Sequence, residues 1–406
     1  MTPTQEFPAR SSRFALSPES DLIGIAARCW TAIAGIAFFV ALYGQTAVGL
    51  TDGKLQPLGA DFINFWSGAW LAWHDRAGEI YVWRDFHEFQ RTVVGAAIGP
   101  FHYSYPPVLL VLTLPLIAFP YVPALAFWLV TSWYAFFRAL RLAMPGRSAL
   151  LLALAVPAGF INAVGGQNGY WTAALLGGGL CLLERRPAVA GVLFGLLIYK
   201  PHLGLIIPVA LLAGRQWRAL IAAAATVIVL VAASLVAFGP ELWSDYVRSA
   251  SKLRQWILED GADVFHRMLS VFVAARRIGL DAPAAYLVQA AVGLSAAAVV
   301  ALAWFRDAPA PVRNSLVVLA TFLAAPYVQD YDLVVGAFVV AWLFAVPGRF
   351  PERPAMIAAA LILIAPIVAA PVGKWSGFAF GPLFLIPAFI LVARMAHDIF
   401  TLPRHR

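Results

Sequence analysis

Charge is what this 406-residue chain has least of: 12% of its residues are Asp, Glu, Lys or Arg, against 61% hydrophobic. A soluble domain carries about a quarter charged residues, so too few are present to cover a water-facing surface of this size. Cysteine is also scarce. Cys29 and Cys181 both lie in or beside apolar segments, which excludes a disulfide framework and any Cys-based metal spacing. No Walker loop, dinucleotide fingerprint, HExxH, GxSxG or CxxC pair occurs, so soluble nucleotide-sugar chemistry has no machinery here. Internal repeats, low-complexity tracts and a cleavable signal are missing as well.

Long apolar blocks take their place, and mean hydropathy is +0.78. They fall near 30–50, 105–120, 122–142, 148–163, 169–183, 187–213, 217–238, 283–304, 313–326, 331–346, 354–371 and 378–397. At about 20 residues per span, the pattern predicts an all-α, polytopic membrane helix bundle of about 10–12 spans. Residues 25–400 form its single domain, between cytoplasmic tails at 1–24 and 401–406. The run from Trp30 to Leu50 reads as a signal anchor. Block 187–213 is interrupted by Tyr199-Lys200-Pro201-His202, which predicts two short helices meeting there.

The net charge of +8 reads as the positive-inside rule plus attraction to anionic headgroups. Without a basic stripe on a soluble module, it excludes a nucleic-acid partner. Clusters at Arg138/Arg141/Arg147, Arg185/Arg186, Arg215/Arg218, Arg306/Arg313, Arg349/Arg353 and Arg404-His405-Arg406 mark a cytoplasmic face. Four stretches are then left outside: 51–104, Gly165–Tyr170, a long loop at 239–282, and Tyr327–Asp332. Loop 239–282 carries six acids and six bases. Blocks 105–120 and 122–142 must together cross an odd number of times, so either one is re-entrant or the first Arg cluster is not inside.

Within 51–104, Phe62, Phe65, Trp66, Ala69, Trp70 and Trp73 recur at helical spacing. So do Phe86, Phe89 and Val93, beside Arg84, Asp85, His87, Glu88 and Arg91. Both segments are too short and polar to span, and they suit helices lying flat in the interface.

Five stretches can carry chemistry, and each has a structural alternative. Asp61 is either an N-cap or a general base at the water–lipid boundary. Lys200 and His202 either snorkel or bind a phosphate or diphosphate headgroup. Gly165–Trp171 is a Gly-rich turn, or its Gln167 and Asn168 bind sugar hydroxyls. Tyr327–Asp332, with Gln329 and Asp330, is a helix cap or a polar-ligand or metal site. His102–Pro107 is a structural turn, or His102 and Tyr105 line a site.

Taken in order, Asp61-Phe62, Arg76-Ala77-Gly78-Glu79-Ile80-Tyr81, Tyr105-Pro106-Pro107 with Pro115 and Pro120, Gly166-Gln167-Asn168, and Ala190-Gly191 leading to Lys200-Pro201 resemble glycosyltransferase family 87 (DUF2029). This GT-C-type family includes a mycobacterial phosphatidylinositol-mannoside mannosyltransferase. The likeness covers most of 55–215 and weakens toward about 345.

The resemblance implies a hexosyl- or mannosyltransferase-like enzyme in the bacterial plasma membrane. It would take a sugar (hexose, mannose-like or pentose) from a polyprenyl-phosphate donor to a lipid or glycan acceptor on the outer face, in a cavity under the first outer loop. Asp61 matches the family's catalytic Asp, and Lys200 lies near the donor phosphate. The position after Gln329 carries a His in the family pattern; here it is Asp330. Direct displacement would invert the anomeric carbon and requires no cofactor or metal. Trp66, Trp70 and Tyr105 are candidates to stack on sugar or lipid. A transporter or flippase of lipid-linked sugars is the main alternative, and a membrane scaffold the lesser one.

Overall fold

Apolar residues in long runs leave the backbone no water to bond to, so in a bilayer each run must satisfy its own N–H and C=O groups as a helix. The computed structural model describes residues 35, 50–51, 56–95, 98–262, 264–345 and 352–401. The expected tails, most of the run 30–50, Cys29 and Arg349 lie outside them. Among the described residues the architecture is all-α: α1 Phe62–Trp73, α2 Trp83–Val94, α3 Val108–Thr113, α4 Tyr121–Ala143, α5 Arg147–Ala155, α6 Pro157–Val164, α7 Gly169–Leu182, α8 Pro187–Leu196, α9 Ile206–Ala213, α10 Trp217–Arg254, α11 Val271–Arg277, α12 Ala282–Phe305, α13 Ala310–Ala324, α14 Gly336–Phe344, α15 Glu352–Ser376 and α16 Gly381–Thr401.

α10, α12 and α15 are each long and apolar enough to cross a membrane alone, and five shorter apolar helices pack with them. The chain is a multi-pass membrane helix bundle. α7, α13 and α14 fill its centre, where Leu316, Val317, Val318, Phe322, Phe338 and Val339 are fully buried. A second apolar cluster (Phe62, Phe65, Phe86, Leu110 and Leu125 among others) lies under the loop before α4.

A bend of 118° separates Val108–Ala118 from α4, so the pair forms either one broken span or a re-entrant arm followed by a span. The 108–118 arm is about 17–22 Å long at helical rise, short of the ~30 Å hydrocarbon core.

Segment 239–282, expected as a long loop, is mostly helical: Gly239, at φ 78° and ψ 164°, breaks α10, and a second helix runs from Pro240 to Arg254. A π-helical turn at Gln255–Glu259, a 3-10 turn at Phe265–Arg267 and α11 come next. Gly239 takes a backbone angle that no helix has, and Pro240, with no N–H to carry the ladder through, opens the next helix, so the first ends here. α1 is also largely enclosed by protein. Phe62, Ile63, Phe65, Ala69 and Leu71 are all fully buried, because α2, α3 and the 108–118 arm wrap it. α2 is the amphipathic one, burying Phe86, Gln90 and Val94 and exposing its charged face.

Candidate functional site

The break predicted at Lys200 is present, and proline chemistry causes it. A residue before proline is pushed out of the α region, and Lys200 sits at φ −129°, ψ 69°. α8 therefore tightens into a 3-10 turn at Leu197–Tyr199 and restarts as another at Pro201–Gly204. The break still satisfies its backbone, since Lys200 N–H donates to the Leu197 carbonyl at 2.8 Å and Leu203 N–H to the Lys200 carbonyl at 3.0 Å. The side chain does not snorkel. Its Nζ donates to Asp332 Oδ1 at 2.6 Å and to the Tyr331 hydroxyl at 3.3 Å, in a pair whose side chains are 3% and 1% exposed.

Asp61 also departs from its structural alternative. It precedes α1, but its side chain makes no capping bond. Its carboxylate instead accepts from Gln167 Nε2, while its backbone N–H donates to the Gly165 carbonyl at 3.2 Å. Loop 57–61 and the Gly165–Asn168 turn are thus clamped together, and Trp128 Nε1 donates to the Gln167 carbonyl at 3.2 Å to hold the turn from α4.

Two glycines make this contact possible. Gly166 has φ 58°, and a Cβ there would stand 2.3 Å from the Gly59 carbonyl oxygen. A Cβ on Gly169 would meet the Tyr331 carbonyl oxygen at 2.5 Å. Gly166→Ala is therefore expected to destabilise the protein by about 2–4 kcal/mol, combining overpacking with left-handed strain. The check is a lowered midpoint in thermal unfolding of the detergent-solubilised protein. An unchanged midpoint would show that the two loops separate freely.

In the Tyr327–Asp332 stretch the cap reading is present, and both carboxylates are also paired with cations. A capping box closes the 3-10 helix Asp330–Val335, with Gln329 N–H donating to Asp332 Oδ2 at 3.1 Å. Asp332 also pairs with Lys200. Asp330 accepts two bonds from Arg267, from Nε at 3.0 Å and Nη2 at 2.9 Å. Leu269 N–H to the Val328 carbonyl at 2.9 Å ties the two segments together. Tyr331 stands between the cations, with Lys200 Nζ 4.6 Å and Arg267 Cζ 5.9 Å from its ring centre.

These elements enclose a cavity of about 290 Å³ lined by Asp61, His102, Tyr105, Gln167, Lys200, His202, Tyr327 and Gln329 among others. The side chains of Asn64, Tyr199, Tyr246, Arg254 and Tyr331 complete its polar wall. Asn168 touches the wall indirectly, with Nδ2 donating to the Tyr105 hydroxyl at 3.0 Å. The ring nitrogens His102 Nε2 and His202 Nε2 and the amide oxygen Gln167 Oε1 are buried without partners among the described residues, so the cavity offers unmet hydrogen-bonding capacity.

Burial raises the Asp61 carboxyl above its ordinary value. The Arg267 and Lys200 charges and the Gln167 bond work against that rise, and Asp330 adds to it. A carboxyl raised in this way is a better proton acceptor than an exposed aspartate. For Arg267, burial opposes the charge, but the paired Asp330 outweighs it and holds the guanidinium protonated.

Besides Asn168, three sequence candidates fall outside this cavity. Trp66 faces away, with Nε1 donating to the Phe119 carbonyl at 3.1 Å. Trp70 stacks on Phe89 and His74 instead of on open space. Asp330 is not on the wall either, because Arg267 takes both its oxygens. Arg254 and Arg267 were missed in the sequence. Their only signal was the unusual charge density of 239–282, and no spacing rule connects them to Asp61.

Among the described residues, Arg185, Arg186 and Arg313 sit at the far ends of two helices that reach the cavity. α7 runs from Gly169 at the cavity to Glu184-Arg185-Arg186 beyond its far end. α13 starts at the basic end, where Arg313 Nη2 reaches Glu184 Oε1 at 2.5 Å.

No curated protein and no solved structure matches the chain. A family model does, over residues 103–326. That span includes Tyr105, Gln167, Asn168, Lys200, His202, Arg254 and Arg267, while Asp61, His102 and Gln329 lie beyond its limits. Matched over more than half its length, and with an acid and a cation facing one cavity of a membrane bundle, the chain belongs to glycosyltransferase family 87.

Proposed function

We propose that this membrane glycosyltransferase moves a hexose or related sugar from a polyprenyl-phosphate donor to a hydroxyl of a lipid or glycan acceptor. The carrying observation is the Asp61 carboxylate, oriented by Gln167, on the wall of a cavity that also holds Lys200, Arg254 and His202. Asp61 takes the acceptor hydroxyl's proton as that oxygen attacks the anomeric carbon from the face opposite the phosphate. The bond from the anomeric carbon to the phosphate oxygen breaks, and its electron pair leaves with the polyprenyl phosphate. Lys200 and Arg254 meet the charge that grows there, and the sugar's configuration inverts. Tyr105, Gln329 and Asn168 position hydroxyls, and His202 bonds the leaving phosphate. Basic helix ends opposite the cavity support a site on the outer face of a bacterial plasma membrane.

The reading is tested in liposomes holding the purified protein, a panel of radiolabelled polyprenyl-phosphate sugars and host lipid extract. Sugar transfer with one donor, lost in Asp61→Asn, is the expected result. Movement of donor between leaflets with no turnover of any donor would sink the enzyme in favour of a transporter.

The neighbours of Asp61 also set a pH dependence. A base must be ionised to act, so transfer falls as pH drops through the raised Asp61 value. Asp330→Asn removes a charge that raises Asp61, and the acidic limb should move to lower pH. The double variant Arg267→Gln/Asp330→Asn also removes the larger, opposing effect of Arg267, and the limb should move to higher pH. The measurement is kcat/KM against pH for both variants. Limbs that do not move in opposite directions would exclude Asp61 as the titrating base.

A further inference from the structure

A second cavity, about 480 Å³, adjoins the first and takes no part in the reaction described above. One helical segment separates the two. On the stretch from Asp245 to Ile257, the face of Asp245, Arg248, Ser249, Lys252 and Trp256 lines the second cavity. The adjacent face of Tyr246, Ala250, Arg254 and Ile257 lines the first. Residues three, four and seven apart share a helix face, so a single element serves both. His102 and Leu253 line both cavities and form the wall between them.

The second cavity has the chemistry of a sugar-phosphate or polyol-phosphate site. Trp83 and Trp256 both pack on His102, with ring centres 3.7 and 5.2 Å from the imidazole, and meet each other edge to face at 6.1 Å, which gives one aromatic wall against which a polyol can lie. Burial, with a smaller contribution from His87, pushes His102 down to about 4, so the ring is neutral at neutral pH. Tyr103 is 2% exposed, and its hydroxyl is buried without a hydrogen-bond partner. Arg248 pairs with Asp245, and among the described residues no acid pairs with Lys252. The charged lining therefore sums to one unbalanced cation, with a carboxylate placed to accept from hydroxyls.

We propose that this second cavity binds the anionic, hydroxyl-bearing headgroup of the acceptor, with its phosphate on Arg248 and Lys252 and its polyol against the Trp83–Trp256 wall, so that a hydroxyl is presented beside His102 toward Asp61. The assignment rests on the glycosyltransferase reading, but its test does not need turnover. The protein is placed in phosphatidylcholine nanodiscs and titrated with dihexanoyl phosphatidylglycerol, with tryptophan fluorescence as the signal. Saturable binding is expected. Arg248→Ala/Lys252→Ala should weaken it about tenfold or more, as loss of charge-assisted phosphate bonds requires. Lys252→Arg should preserve it, and Trp256→Phe should remove much of the signal. Asp61→Asn should bind as wild type, so a failure of the catalytic reading leaves this result intact.

Competition by sn-glycerol 3-phosphate would support recognition of the headgroup alone. Binding that survives this competitor would support recognition of the same headgroup only when lipid-borne. Equal binding of dihexanoyl phosphatidylcholine, or an unchanged affinity in the double alanine variant, would overturn the proposal. Both substituted cations are exposed on one helix face, so the folded state is not at stake.

Discussion

Asp61→Asn should lower sugar transfer by about 10²–10⁴-fold, the range a positioned general base contributes. That is ~3–5 kcal/mol of transition-state stabilisation at about 1.4 kcal/mol per tenfold. The substitution keeps the volume and an oxygen that can accept from Gln167, so the clamp between loop 57–61 and the Gly165–Asn168 turn should hold. Thermal unfolding of the variant should stay within about 1 kcal/mol of wild type, as for a substitution that preserves a hydrogen bond. Gln167→Ala acts one step further back. It should reduce kcat less than Asp61→Asn and move the acidic limb of the pH profile upward, because the Gln167 bond favours the ionised carboxylate. Transfer that survives in a well-folded Asp61→Asn would leave the family assignment standing and remove Asp61 from the chemistry.

The second large effect is expected at Lys200, where stability and activity can be separated. Its pair with Asp332 is almost wholly enclosed, and Asp332 also closes the cap of the 3-10 helix that follows. Lys200→Met strands that carboxylate, and breaking a buried pair from one side costs about 3–5 kcal/mol. The variant should be poorly recovered from membranes and unfold at lower temperature. Lys200→Met/Asp332→Asn removes both charges and keeps an oxygen for the Gln329 N–H. It should regain most of the lost stability, since an uncharged pair of similar volume is often neutral or better in a buried setting. Transfer should not return, because the cation facing the donor phosphate is gone. Thermal midpoints and donor turnover measured side by side decide the matter. Recovery of both would make Lys200 a structural residue alone.

Much of the membrane fold was legible because its causes are local. Long uncharged runs must be helical in lipid, and the Lys200-Pro201 step must break a helix wherever it occurs. The amphipathic pattern of α2 and the turn at Gly165–Tyr170 followed from spacing and from glycine in the same way. The path of 239–282 was not legible. A high charge density reads as loop, yet after the break at Gly239 a second helix starts at Pro240 and runs to Arg254. The enclosure of α1 was not legible either, because its burial comes from α2, α3 and the 108–118 arm, which no property of 62–73 announces.

The sequence by itself determined an all-helical membrane chain, an acid at the head of α1, a lysine at a proline break, and a pair of amides in a glycine turn. Each follows from a residue and its immediate neighbours. Only the tertiary structure decided what those groups do to one another. It gave Asp61 to Gln167 instead of to its own helix, turned Lys200 inward to Asp332 and away from the interface, consumed Asp330 on Arg267, and brought Arg254 to the same cavity from far along the chain. The Asp61–Gln167 and Lys200–Asp332 contacts join residues more than a hundred positions apart, and Arg267–Asp330 joins residues 63 apart. They depend on the packing of whole helices, which fixes direction and depth, and a linear pattern of apolar and polar residues carries no record of either.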